Sequence, residues 1–249
     1  MLEPALKEQL KGIFAGLEAD FTFDISVSAS HESRAGLLEL LEDVAECSTH
    51  ITCVVNEGSG LKFAIWKNGH PTGITFRAIP NGHEFTSLLL AILNLDGKGK
   101  NFPDEAVCNR VKALKGPVHL VTYVSLTCTN CPDVVQALNA MTTLNPSITH
   151  EMVDGALYQD VLTAPGTTLH WSLAHRARGR GMQDSMALLI APVDVAAQIT
   201  DILAGASSED DNRGLLVRAA LDRTVQYNGE EVPIRSFMVG GEITDGSDQ

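Results

Sequence analysis

Leu2, Leu6, Leu10, Ile13, Phe14 and Leu17 recur at helical spacing, which predicts an amphipathic first helix. Phe21–Val27 alternates apolar and polar residues with a period of two, the pattern of a half-buried strand. Leu37, Leu38, Leu40, Leu41, Val44 and Ala45 then form the apolar side of a second helix. Residues 51–55 and 61–66 read as two more strands, with a turn at Lys67-Asn68-Gly69. Residues 83–95 form an apolar helix that gives way to a Gly/Lys-rich loop at 96–100. Strand, helix, strand, strand, helix is the order of a compact α/β unit.

The order then begins again. A shift of 97 residues superposes Val27-Ser28 on Val124-Ser125, Leu37-Leu38 on Val134-Val135 and Leu41 on Leu138. The same shift, without a gap, carries Ile51-Thr52 onto Ile148-Thr149 and Glu57 onto Asp154. Strand, helix face and following strand stay in register, so we read an internal duplication. At one point the two copies differ in chemistry. His31-Glu32-Ser33-Arg34 maps onto Cys128-Thr129-Asn130-Cys131, where a strand runs into a helix. One copy carries two thiols and the other none, the pattern of an active unit beside a degenerate one.

Cys128 and Cys131 follow the apolar strand at 118–126 and precede a helix whose inner face includes Val134, Val135, Leu138 and Met141. A thiol at such a junction lies near unbonded backbone N–H groups and the positive end of the helix dipole. Both favour the thiolate, the species that attacks a disulfide. Cys131, further into the helix, is placed to resolve a mixed disulfide formed at Cys128. Pro132 has the fixed φ suited to a first turn, and the carboxylate of Asp133 partly offsets the attraction for thiolate. The alternatives are half of a zinc site and an inert pair. A zinc site wants a second Cys/His pair at ligand spacing, and Cys47, Cys53 and Cys108 are scattered, as core residues are.

At these residues the chain resembles a known family. Gly82-His-Glu-Phe-Thr-Ser-Leu-Leu-Leu90, Cys128-Thr-Asn-Cys-Pro-Asp-Val-Val-Gln-Ala-Leu-Asn139, Leu144-Asn-Pro-Ser-Ile-Thr-His150 and Val153-Asp-Gly155 are similar to the N-terminal domain of the flavoprotein subunit of alkyl hydroperoxide reductase. The resemblance covers about residues 1–160. It implies an α/β fold of two fused thioredoxin-like units, the first without cysteines. It also implies that the second unit's dithiol relays electrons from a flavin and nicotinamide module to a two-cysteine peroxiredoxin. Carried over, Cys128 attacks the peroxiredoxin disulfide and Cys131 resolves. Glu84 stands where the family has a carboxylate from the inactive unit close to the dithiol, acting as acid/base. Taken alone, a glutamate at a helix start is usually solvated. Desolvation between two units and a neighbouring thiol would instead favour its protonated form.

The match ends after Asp160. Three segments are therefore expected: 1–100, a thioredoxin-like unit without active cysteines; 101–160, the start of a second unit; and 161–249, a tail or an insertion. The family's Val-Pro dipeptide, whose proline sits against the dithiol, is absent at its usual distance. Val232-Pro233 opens a similar stretch through 239, about 100 residues beyond the cysteines. Composition shifts here as well: residues 1–160 contain eight Lys and three Arg, whereas 161–249 contain seven Arg and no Lys. An inserted segment before a displaced strand, or a shifted reading frame, accounts for that change. Residues 186–191 read as a strand, 194–203 as a helix and 206–212 as a loop.

Charge and missing motifs narrow the function further. Eighteen Lys plus Arg against thirty-one Asp plus Glu give a net charge of −13. Such a surface repels phosphate backbones and anionic lipid, so neither nucleic acid nor membrane is an expected partner. The N-terminus lacks a signal peptide's pattern, no apolar run suits a membrane span, and five cysteines make no disulfide scaffold, so a cytoplasmic location is expected. No glycine-rich dinucleotide fingerprint follows a strand, so no FAD or NADH site is expected in this chain, and none for a metal. Electrons would come from a flavoprotein reductase. The competing expectation is a non-catalytic module that docks on a peroxiredoxin or flavoprotein.

Overall fold

The computed structural model describes residues 2–99, 102–115, 117–127 and 131–157, and the backbone of strands at 171–175, 185–190, 218–227 and 230–239. Helix α1 (Pro4–Phe14) opens with a proline, whose missing N–H costs nothing in a first turn, and buries Leu10 and Phe14. In β1 (Phe21–Val27) the alternation directs Phe21, Phe23, Ile25 and Val27 into the core. Helix α2 (Arg34–Ala45) buries Leu37, Leu40, Leu41 and Val44. Strands β2 (Ile51–Asn56) and β3 (Leu61–Lys67) flank β1, parallel and antiparallel respectively.

β3 turns into β4 (His70–Arg77) through Asn68 and Gly69, both at positive φ (50° and 77°), as a two-residue hairpin turn requires. The turn is legible in the sequence but β4 is not, because Pro71 and Gly73 disguise it as a loop. Ile74 and Phe76 nevertheless point into the core, with Phe76 stacked on Phe63 at 5.1 Å and Phe23 edge-on to Phe63 at 5.6 Å. A 3-10 turn, Gly82–Glu84, leads directly into α3 (Phe85–Leu95).

The next helix, α4 (Glu105–Ala113), is likewise not foreseen from the sequence. Its N-terminus is fixed by the Asp104 carboxylate, which accepts from Val107 N–H at 2.9 Å. Then come β5 (Val118–Val124), α5 (Cys131–Leu144) and β6 (Ile148–Asp154). Phe21 pairs with Ile51 in the first half and Val118 with Ile148 in the second, each residue separated from its counterpart by 97 positions. The same offset relates Arg34 and Cys131, the first residues of α2 and α5.

One ten-stranded mixed sheet runs β2-β1-β3-β4-β6-β5-β8-β7-β10-β9, where β7 is Trp171–His175, β8 Ser185–Ile190, β9 Arg218–Tyr227 and β10 Glu230–Val239. The halves join where β4 and β6 pair in parallel, from Ile74 with His150 to Arg77 with Val153. One buried cluster spans them, including Leu88 and Ala91 of α3 with Val124, Cys131, Val135 and Met152. The strand expected at 186–191 is β8, antiparallel to β5. β10 covers residues 232–239 and pairs with β7 and β9. The helix at 194–203 and the loop at 206–212 lie outside the described residues. Among the described residues no helix is long and apolar enough to cross a membrane.

Candidate active site

β5 ends at Val124, whose carbonyl accepts from Gly155 N–H at 2.9 Å. Ser125 and Thr127, hydroxyls 2.9 Å apart, begin the turn toward α5. Cys128 lies outside the described residues, and Cys131 is the first residue of α5. Cys131 is fully buried, Pro132 beside it is buried, and Asp133 is half-buried. The helix continues for 14 residues, so its positive end is directed at this turn. At the equivalent point of the first half, Arg34 heads α2 and donates to the Val27 carbonyl at 2.9 Å. A cation that caps a strand end there stands in the place of a thiol.

Glu84 comes from the other half of the chain and is 0% exposed, so it is not the solvated helix-start glutamate that its type alone suggests. The 3-10 turn that carries it packs against α5. Gly82 opens that turn at φ +55°, a backbone conformation that favours glycine. Glu84 Oε2 accepts from the Ser87 hydroxyl at 2.6 Å. Ser87 is itself fully buried, and its Oγ lies 3.5 Å from Gln136 Nε2 on α5.

A second polar group sits deeper behind α5. His150, on the inner face of β6, is 1% exposed. Its Nδ1 lies 2.7 Å from Asn139 Oδ1 and its Nε2 2.7 Å from Thr122 Oγ1. A carbonyl oxygen only accepts, so Nδ1–H donates to Asn139 and Nε2 accepts the Thr122 hydroxyl. Burial pushes the imidazole down to about 3, which keeps it neutral. From sequence alone, Ser87, Gln136 and His150 carry no assigned role. A signal for His150 was present: it falls between Ile148 and Met152 at the inward positions of an alternating strand.

The remaining described thiols lie apart, one buried and two half-buried. Cys47 is buried and donates to the Asp43 carbonyl at 3.2 Å, and desolvation raises its pKa. Cys53 is pushed up to about 11 by burial, and Cys108 donates to the Pro103 carbonyl at 3.4 Å. Among the described residues no three His, Cys, Asp or Glu side chains gather as metal ligands.

No family model matches the chain. It is 45% identical over 163 residues to the alkyl hydroperoxide reductase AhpF of Staphylococcus epidermidis, covering 64% of this chain and 31% of the relative. The chain thus spans about a third of the length of that curated relative. A solved AhpF of Enterococcus faecalis, a cysteine variant, is 30% identical with a TM-score of 0.59. That match covers 64% of this chain and 83% of the solved one. The N-terminal domain of AhpF, also from Enterococcus faecalis, is 27% identical with a TM-score of 0.63, covering 76% of this chain and 90% of the solved one. The chain therefore belongs to the AhpF family of alkyl hydroperoxide reductases and has the thioredoxin-like fold of its N-terminal part.

Proposed function

We propose that the chain is a thiol–disulfide oxidoreductase that passes an electron pair to the disulfide of a two-cysteine peroxiredoxin. The observation that carries this reading is the start of α5, where buried Cys131 heads a helix packed against a turn bearing the buried carboxylate of Glu84. Cys128, as thiolate, attacks one sulfur of the partner's disulfide. That S–S bond breaks, the departing sulfur takes up a proton, and Cys128 is left in a mixed disulfide. Cys131 gives its proton to the Glu84 carboxylate and attacks the Cys128 sulfur. The mixed disulfide breaks, and the second partner sulfur leaves with that proton. The partner has gained two electrons and two protons, and Cys128 and Cys131 are joined. A flavoprotein reductase module returns two electrons and two protons to the pair.

Reduction of a peroxiredoxin disulfide by the reduced protein tests this directly. Cys128→Ser should abolish it, and Cys131→Ser should trap the mixed disulfide; unchanged turnover in Cys128→Ser refutes the assignment. Glu84→Gln should slow turnover by about a hundredfold, with a changed pH profile. Superimposable profiles for wild type and Glu84→Gln would remove the carboxylate from the mechanism.

One observation favours a second reading, a docking module without turnover. The place beside β5 is held by β8, and Pro233 stands in β10 with β7 and β8 between. Retained peroxiredoxin binding with no disulfide reduction would favour this module.

A further inference from the structure

Resting on the reading of Glu84 as the proton acceptor, we propose that Ser87, oriented by Gln136, is a positioning residue that sets the pH at which Glu84 exchanges its proton. Burial disfavours the ionised carboxylate, and Glu84 has no exposed surface. A hydroxyl at 2.6 Å acts the other way, because a short O–H···O bond to a carboxylate stabilises its charged form. Ser87 has one proton and two lone pairs. Gln136 Nε2 approaches the serine oxygen from α5 at 3.5 Å and can only donate. That leaves the single hydroxyl proton aimed at Glu84.

The arrangement links two helices through one proton position. Ser87 lies in the first turn of α3 and Gln136 in α5, five residues past Cys131. Among the described residues, the titratable groups on the elements around Glu84 are the exposed His83 on its own turn and Cys131 and Asp133 at the start of α5. Neither Ser87 nor Gln136 titrates. Removing either hydrogen bond therefore alters the balance at Glu84 without adding or deleting a charge.

The test is the pH profile of single-turnover disulfide reduction by the pre-reduced full chain, freed of excess reductant, with a small aromatic disulfide as substrate. A second readout is titration of the Glu84 carboxyl by infrared difference against Glu84→Gln. Ser87→Ala should move the Glu84 limb and the infrared titration together to higher pH, by about one unit. Gln136→Leu, at a half-buried position, should shift both the same way by less. A merely structural serine would lower the melting temperature and leave both titrations in place, which would overturn the proposal. If Ser87→Ala does not fold, an unmoved titration in Gln136→Leu overturns it as well. A flat Glu84→Gln comparison would instead sink the acceptor role of Glu84 itself, while the infrared titration still reports on Ser87.

Discussion

His150 is 1% exposed, hydrogen-bonded at both ring nitrogens, and held neutral by burial with a pKa of about 3 in place of 6.5. The unfolded chain therefore binds a proton at His150 between those values that the folded chain does not. Stability from this residue is full above pH 6.5 and falls as pH drops toward 3, by about 1.4 kcal/mol per unit. The expected result is a urea midpoint that declines through this window in wild type and declines less steeply in His150→Gln. Parallel curves would show that the histidine is not buried neutral. The site was unevenly legible at this scale. Cys131 stands out through its C-x-x-C spacing and Glu84 only through the family resemblance, whereas Ser87, Gln136 and Thr122 are ordinary polar residues whose meaning comes only from what tertiary packing sets beside them.

Among the elements, legibility followed the strength of the periodic signal. β1 appears with the bounds its alternation predicts, and β2 and β3 each extend one residue beyond. β4 was hidden by Pro71 and Gly73, although β4 supplies the strand on which both halves meet. α4 was missed because nine residues with two buried apolar positions, Val107 and Val111, give a weak helical stripe. Its clearest mark was Asp104, which accepts from Val107 N–H. Asp104→Ala should cost about 1 kcal/mol, read as a lower denaturant midpoint, and Asp104→Asn should recover most of it. Equal stability of all three proteins would mean that α4 is held by packing of Val107 and Val111 alone.

Across the whole molecule the joint between β4 and β6 decides whether the halves behave as one. The buried cluster runs from Phe14 and Leu41 in the first half to Met152 and Val135 in the second, so loss of either side exposes the other. Gly73 sits at this joint with φ +83°, a conformation that L side chains rarely adopt. A Cβ there would lie 3.1 Å from Thr142 Cγ2, 3.2 Å from the Ile148 carbonyl oxygen and 3.3 Å from Thr149 Cγ2. Both strain and crowding oppose a larger residue, and the backbone carbonyl cannot rotate away as a side chain would. Gly73→Ala should destabilise by about 1–3 kcal/mol. Because the core is shared, that loss should appear as a lower midpoint of a single transition, with the same value by exchange of β1 and β3 amides and by exchange of β5 and β6 amides. Two separated transitions in Gly73→Ala, with β1 and β3 amides protected after those of β5 and β6 have exchanged, would show instead that the first half holds its fold without the second.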